Sequence, residues 1–207
     1  MRAEEQLKTQ KLEAELRFLK AQVNPHFLFN TLNNIYSLSV TKSDSAPDMI
    51  LKLSDMMSFM LYDCQGESVD LSQEIDYLQN YLALQQLKKS GQLNVSLEIQ
   101  GDPNGIRLTP MLFIPFFENA FKHGNIDDVQ NGYLTSSFQI ENDKIEFKIT
   151  NSLSSKVREY EQGGVGLANV RKRMELLYPN AHELTMKNTG SEFIVDFTIY
   201  LKLNGAV

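Results

Sequence analysis

The chain has 207 residues, of which 42% are hydrophobic and 22% charged, so it can form one large or two small domains with packed cores and is not a disordered chain. Its formal net charge of -6 disfavours broad binding to phosphate backbones, and we expect no direct nucleic-acid partner. A single cysteine, Cys64, excludes an intramolecular disulfide and favours a reducing compartment.

The N-terminal segment, residues 2–23, predicts a short coiled coil because it is dense in Glu, Lys, Gln and Leu. Apolar residues recur at spacings of four, three and four, at Leu12, Leu16, Leu19 and Val23. A seam of this length is marginal alone, so we expect it to continue upstream or to pair in a homodimer. Charged heptads stand where a signal peptide would be apolar, and the longest apolar run, residues 111–117, is far shorter than the ~20 residues that span a bilayer. The sequence as written is therefore expected to be soluble and cytoplasmic.

A histidine follows a proline in an otherwise helical stretch, Asn24-Pro25-His26-Phe27-Leu28-Phe29-Asn30. A proline inside a helix removes a backbone hydrogen bond, so it marks a kink or a boundary. On a helical wheel, one stripe is polar and consists of His26, Asn30, Asn33 and Ser37. A roughly opposite stripe is apolar and consists of Leu28, Leu32 and Ile35. We therefore expect His26 to project away from the apolar face. Taken alone, such a histidine is more often an ordinary surface or core residue.

Two more helices are predicted before residue 90. The first runs from about Pro47 and carries on one face Ile50, Leu53, Met57 and Met60. The second begins after Asp70, where Gln73 completes a pair that resembles a capping box, and carries on one face Ile75, Leu78 and Leu82. Residues 1–90 are thus expected to form a helical module with a coiled-coil lead-in.

After Gly91 the pattern changes to strands, which predicts a domain boundary there and a second domain over residues 91–207. Val95, Leu97 and Ile99 alternate in the first strand. The elements that follow are a helix over 112–123, a hairpin over 133–140 and 144–150, a polar segment over 152–162, a glycine-led helix and a hairpin over 183–203. This order predicts an α+β fold in which one helical layer covers a mixed sheet.

Two segments of the second domain carry groups suited to a metal-bound triphosphate. Asn119, Lys122 and His123 share one helical face, where an amide oxygen can serve Mg²⁺ and the two basic side chains can donate to phosphate. The glycine segment 163–167 opens a helix, and backbone N–H groups there can approach an anion. Each segment alone is also compatible with an ordinary surface helix or a tight turn.

Two other groups are expected to be structural. The aromatic run Phe113, Phe116, Phe117 and Phe121 fits core packing beneath the helix better than base stacking. The basic run 171–173 is typical of a solvated helix surface.

Three motifs resemble, in order, those of the LytS-like sensor histidine kinases, in which a histidine box precedes an ATP-binding domain of the GHKL type. The histidine box matches over residues 22–33, the N-box over residues 110–124, and the last glycine box over residues 164–170 followed by Arg173. Nearly the whole chain is covered, and three selective motifs in family order argue against coincidence.

The resemblance implies a two-component kinase that autophosphorylates on His26 with ATP and Mg²⁺ and passes the phosphoryl group to an Asp of a response regulator. It assigns Asn119 as a Mg²⁺ ligand and, as ATP-binding residues, Asn119, Lys122, His123, Gly164, Gly166 and Leu167. It further implies a homodimer, a regulator with a LytTR-type DNA-binding domain, and an upstream membrane sensor that anchors the full-length protein in the cytoplasmic membrane. The polar segment 152–162 would be the nucleotide lid.

One departure concerns the adenine site. Many kinases of the wider fold carry an Asp-x-Gly-x-Gly box whose Asp accepts a hydrogen bond from the adenine amino group. Here Asn151 aligns with that Asp and is expected to be an ATP-binding residue, because its amide oxygen can still accept a hydrogen bond, while Leu153 and Ser155 replace the glycines. This leaves open a catalytically weak or inactive nucleotide-binding scaffold that signals by helix packing.

A second departure concerns the general base. Phe27 follows His26 where many other histidine kinases carry an acidic residue, so the sequence names no proton acceptor. Asn30, one turn later, is a candidate to orient the imidazole or a water, or is an ordinary surface amide. An ATPase without a phosphoacceptor, as in chaperones or gyrases, is a further alternative that the histidine box disfavours.

Overall fold

The computed structural model describes residues 25–88, 93–154 and 165–201. Contacts between residues divide the chain into two compact units, the first ending at Gln65 and the second beginning at Gly66. The sequence pattern places its module boundary later, between residues 90 and 91. The predicted coiled coil over residues 2–23 and most of the predicted lid lie outside the described residues.

The first unit contains two helices, α1 (Pro25–Val40) and α2 (Ser45–Leu61), followed by a short 3-10 turn over Asp63–Gln65. The two helices pack against each other. α1 buries Thr31 and Ile35. The buried residues of α2 are Ala46, Met49, Leu53, Met56, Phe59 and Met60.

Two of the predicted helix faces are partly wrong. The sequence pattern assigns Leu32 of α1 and Ile50 of α2 to apolar faces that pack inward, but these side chains are 46% and 52% exposed. Both helices carry apolar residues on more than one side, so a helical wheel alone does not decide which side packs. α1 presents a second apolar stripe to solvent, which consists of Phe29, Leu32, Tyr36 and Val40.

The second unit is built on a five-stranded sheet. Its strands are β2 (Val95–Gln100), β4 (Leu134–Ile140), β5 (Lys144–Ser152), β6 (His182–Asn188) and β7 (Glu192–Tyr200). They are arranged in the order β2-β4-β5-β7-β6, with β2 and β4 parallel and the other neighbours antiparallel. The predicted first strand and both predicted hairpins are confirmed. A separate two-stranded sheet of β1 (Val69–Asp70) and β3 (Arg107–Leu108) is not predicted by the sequence pattern.

Helix α3 (Leu71–Lys88) begins as predicted after Asp70. The backbone N–H of Asp70 donates to Oε1 of Gln73 at 3.2 Å, which is one half of a capping box. Its predicted apolar residues are all buried, namely Ile75, Leu78 and Leu82.

Helices α4 (Ile114–His123) and α5 (Val165–Leu177) complete the second unit. The ring centroid of Phe113 lies 4.8 Å from that of Phe138 in β4 and 5.0 Å from that of Phe147 in β5. Phe113, Phe116 and Phe117 are at most 1% exposed, which confirms them as core. Helices over one face of a mixed sheet confirm the predicted α+β fold.

Phe121, at the far end of the same aromatic run, contacts α3 instead of the sheet. Its ring meets that of Tyr81 edge-on, with centroids 5.7 Å apart. α3 therefore packs against α4 within the second unit. Within residues 25–88, 93–154 and 165–201, none of the helices combines the length and apolar character that a membrane crossing requires.

Candidate functional site

His26 lies in the first turn of the described part of α1 and is exposed. The side-chain nitrogen of Asn30, one turn later, lies 3.1 Å from Nε2 and 3.3 Å from Nδ1 of the imidazole. The amide is therefore within hydrogen-bonding distance of both ring nitrogens and can donate to whichever of them carries the lone pair. Asn30 fixes the orientation of a ring that solvent reaches.

The N-box residues Asn119, Lys122 and His123 lie on the C-terminal half of α4. Asn119 and His123 are half-buried, whereas Lys122 is exposed. Partial burial, with a smaller contribution from the Lys122 ammonium, holds the pKa of His123 below its usual range. His123 is therefore a neutral hydrogen-bonding group near pH 7, and Lys122 supplies the positive charge on this turn.

Gly124 ends α4 at a place where no side chain fits. A Cβ at this position would lie 2.5 Å from the carbonyl oxygen of Ala120 and 2.6 Å from Nδ2 of Asn151. The next residue, Asn125, donates its backbone N–H to the carbonyl of Ser152 at 2.8 Å. The last turn of α4 is thus held directly against the end of β5.

This approach brings Asn151 next to the N-box. Asn151 is 3% exposed and lies on the helix-covered face of the sheet, paired with Leu134 on one side and Phe193 on the other. Its Nδ2 donates to the carbonyl of Ser152 at 3.0 Å. Because the amide nitrogen has this internal partner, Oδ1 is the atom that can accept a hydrogen bond from a ligand.

The glycine box is only partly within the described residues. Gly164 lies outside them, and Gly166 is the second residue of α5. Leu167 is 2% exposed, so its side chain belongs to the core, and its backbone N–H lies in the first turn, where helices have no intrahelical acceptors. This turn can bind an anion through its backbone only.

Arg173, in the third turn of α5, is not the solvated surface residue that the basic run suggests. Its guanidinium donates to the carbonyl of Pro110 at 2.6 Å and to that of Met111 at 3.3 Å. Its neighbours Arg171 and Lys172 are exposed, as expected. Arg173 therefore ties the glycine-box helix to the segment that leads into α4.

Glu74 of α3 is a buried residue that the sequence interpretation missed. Its carboxylate accepts hydrogen bonds from the backbone N–H groups of Met111 and, at 3.2 Å, Leu112. The signal is visible in retrospect, because Glu74 falls on the apolar side of α3 between Leu71 and Leu78, both fully buried. A glutamate on a core stripe is a marked exception to the usual distribution.

Burial raises the pKa of Glu74 to about 7, against the opposing effects of its backbone hydrogen bonds and of Arg173. A folded-state pKa above the unfolded value of 4.5 means that the folded chain binds the extra proton, so stability is greatest below pH 4.5 and falls as pH rises towards 7. Relative to Glu74→Gln, which does not titrate, we expect the wild-type chain to lose roughly 2–3 kcal/mol of unfolding free energy between pH 5 and pH 8. Urea unfolding at several pH values measures this difference.

The matched control for this prediction is Glu175→Gln, which changes an exposed glutamate of α5. It should keep the pH dependence of the wild-type chain. If Glu74→Gln and wild type had parallel stability profiles from pH 5 to pH 8, the carboxyl group would not titrate as described.

Comparison with known proteins gives one family match. A family model described as Histidine kinase matches residues 14–93. Among curated proteins, the chain is 28% identical to the sensor protein LytS of Oceanobacillus iheyensis over 94% of this chain and 36% of that protein. It is 29% identical to the sensor histidine kinase YpdA of Escherichia coli over 91% of this chain and 35% of that protein. The chain thus spans about a third of the length of these relatives.

Among solved structures, the chain resembles the histidine kinase domain of the blue-light activated histidine kinase EL346 from Erythrobacter litoralis. The TM-score is 0.50 at 16% identity, and the match covers 93% of this chain and 96% of that one. A likeness at this identity concerns the fold alone. The family match over residues 14–93, together with the histidine box, the N-box and the two relatives above, shows that the chain is similar to the LytS-like sensor histidine kinases.

Proposed function

We propose that the chain is the kinase portion of a two-component sensor, which phosphorylates itself on His26 with ATP and then passes the phosphoryl group to an Asp of a response regulator. The observation that carries this proposal is the exposed imidazole of His26, oriented by Asn30 within the histidine box. A buried or ion-paired histidine would not be accessible to a nucleotide bound on another unit.

The residues of the second unit fit a nucleotide with its divalent cation. The half-buried amide of Asn119 supplies an oxygen for Mg²⁺, and Lys122 and His123 supply donors for phosphate oxygens. Oδ1 of Asn151 would accept from an exocyclic amino group such as that of adenine, and the hydrogen bond from its Nδ2 to the carbonyl of Ser152 supports this role. The backbone at Gly164, Gly166 and Leu167 would cradle phosphate at the start of α5. Mg²⁺ would supply charge neutralisation on the triphosphate.

The transfer step needs positioning more than covalent help from the protein. A neutral ring nitrogen of His26 attacks the γ-phosphorus, an N–P bond forms, the bond to the β-phosphate oxygen breaks, and ADP leaves. The other ring nitrogen releases its proton to solvent, which reaches the exposed ring. Asn30 holds the imidazole edge, so that less orientational freedom is lost in the transition state.

Calorimetric titration with MgATP tests the nucleotide half of this proposal. We expect saturable binding with a dissociation constant below the millimolar range. No detectable heat at millimolar MgATP, from protein whose fold is verified by circular dichroism, would favour a nucleotide-free scaffold that signals by helix packing.

We place the homodimer contact on the exposed apolar stripe of α1, defined above as Phe29, Leu32, Tyr36 and Val40. The spacing of these residues is typical of a helix that packs against another helix. A charge at its centre, Tyr36→Glu, should shift the protein from dimer to monomer in sedimentation velocity at tens of micromolar. Thr135→Glu adds the same charge at an exposed position of β4 and should leave the dimer intact. A wild-type monomer at that concentration would contradict the assignment.

Family resemblance supports the remaining assignments. We propose a cytoplasmic location for this portion, an upstream membrane sensor in the full-length protein, and a regulator of the LytTR type as phosphoryl acceptor. Incubating the phosphorylated chain with a purified receiver domain would test the last of these by loss of label from the kinase.

A further inference from the structure

The segment Thr109–Leu112, which leads into α4, holds an unfavourable backbone conformation in a buried place. Met111 has φ +58°, which a residue with a side chain adopts only when its surroundings require it. Pro110 and Met111 are both buried. Phe113, at the N-terminal boundary of α4, forms no side-chain cap. The start of α4 must therefore be fixed by groups from elsewhere in the fold.

On its N–H side, this segment is held by α3. Both oxygens of Glu74 take part, Oε1 with Met111 N–H and Oε2 with Leu112 N–H. A carboxylate at this position also lies at the positive end of the α4 dipole. Glu74 thus holds the segment that enters α4, from a position 37 residues earlier in the chain.

On its carbonyl side, the same segment is held by α5. Arg173 binds the carbonyls of Pro110 and Met111. An N–H group of the segment is bound from the same direction, because Thr109 donates its backbone N–H to the hydroxyl of Tyr178, five residues after Arg173, at 2.9 Å. The guanidinium also favours the ionised form of Glu74. The backbone of residues 109–112 is therefore bound by Glu74 of α3 and by Arg173 of α5, two side chains of opposite charge.

We propose that Glu74 and Arg173 form a two-sided clamp that sets the position of α4, so that Glu74 is a positioning residue for nucleotide binding. This inference rests on the proposed function and deepens it. α4 carries Asn119, Lys122 and His123, and α5 begins at the glycine box, so the clamp fixes both segments relative to α3. α3 is the helix that follows the His26 unit in the chain, and a change in its position is transmitted to the nucleotide residues through Glu74.

Two variants test the clamp, Glu74→Gln and Arg173→Lys. The first removes the carboxylate charge at constant shape, and the second keeps the cation but loses the forked pair of donors. Autophosphorylation is measured against MgATP concentration at pH 8, where the Glu74 carboxyl, whose pKa is about 7, is mainly ionised. For Glu74→Gln we expect the KM for ATP to rise roughly tenfold while kcat at saturation stays within about threefold of wild type. Arg173→Lys should show the same pattern to a smaller degree.

A merely structural role gives a different result. Partial unfolding lowers the active fraction, so kcat falls while KM stays unchanged. Hydrogen exchange of the chain without nucleotide gives an independent measurement: Glu74→Gln should accelerate exchange at the amides of residues 111–113 and along α4, whereas Glu175→Gln should not. If wild type failed to bind ATP, the proposed function would be wrong, yet the exchange result would still decide the clamp.

The clamp is contradicted if Glu74→Gln keeps both the wild-type KM and wild-type exchange in residues 111–123. If Glu74→Gln does not fold, Arg173→Lys decides the same question. A wild-type KM and unchanged exchange in that variant would also overturn the proposal.

Discussion

Replacing His26 by Gln should reduce phosphate incorporation from γ-labelled ATP by at least about 10³-fold, because the side chain that forms the N–P bond is removed. Glutamine keeps a polar group on the exposed stripe. Among the described residues, the hydrogen-bond partner of the His26 ring is the amide of Asn30. The fold and MgATP affinity should therefore stay unchanged. Incorporation is counted after quenching in base, in which phosphohistidine is stable, and again after acid treatment, in which it is lost.

The matched control is His182→Gln. His182 is half-buried at the start of β6, and its Nδ1 lies 2.8 Å from the carbonyl of Tyr178. This histidine already has a structural hydrogen bond, so its loss should not reduce labelling. Label retained in His26→Gln would show that another residue accepts the phosphoryl group.

Replacing Asn119 by Ala should lower phosphorylation by roughly 10²–10³-fold at fixed MgATP, since a divalent cation on the triphosphate loses a protein oxygen and transition-state charge is less well neutralised. Asn119 is half-buried on α4, beside the fully packed Ala120, so an alanine there should not disturb the aromatic core. The effect should appear in calorimetry as weaker MgATP binding and in kinetics as a rise in the Mg²⁺ concentration needed for half-maximal activity.

Asn142→Ala serves as the control for this variant, because Asn142 lies in the exposed turn between β4 and β5. It should bind and react as wild type. A normal Mg²⁺ dependence in Asn119→Ala would remove the metal assignment while leaving the phosphoacceptor assignment intact.

The sheet and its helices follow closely from local sequence patterns. Strict alternation at Val95, Leu97 and Ile99 predicts β2, and the turn at residues 141–143 predicts the hairpin of β4 and β5. Both patterns arise from neighbours in sequence, so one chain segment contains all the information they need.

The packing of α1 and α2 is less predictable for a physical reason. Leu32 and Ile50 are as apolar as the residues that pack inward, and both are exposed in this structure. When a helix has two apolar stripes, the stripe that becomes buried is the one that faces a neighbouring element. That element lies outside the helical segment, so the segment's own sequence does not identify the buried stripe. The apolar stripe of α1 that remains exposed is the one that we assign to the dimer contact.

Long-range polar contacts are the part that sequence patterns do not reach. The hydrogen bonds from Met111 and Leu112 to Glu74 join residues 37 and 38 positions apart, and no local period connects them. The same holds for Gly124 and Asn151, whose contact explains both the glycine and the buried amide. The order of the motifs could therefore be predicted from the sequence. The hydrogen bonds that join α3, α4 and α5 could not be predicted in this way.

Site mapping on the wild-type chain tests the central claim most directly. The protein is incubated with MgATP, kept at neutral to basic pH, digested, and its phosphopeptides are sequenced by mass spectrometry. We predict one phosphoryl group per chain, on the imidazole of His26 within the peptide that contains residues 24–30, and no modification at His123 or His182. Phosphate on any other residue, or none at all from protein that binds MgATP, would contradict the assignment of this chain as a kinase that acts on His26.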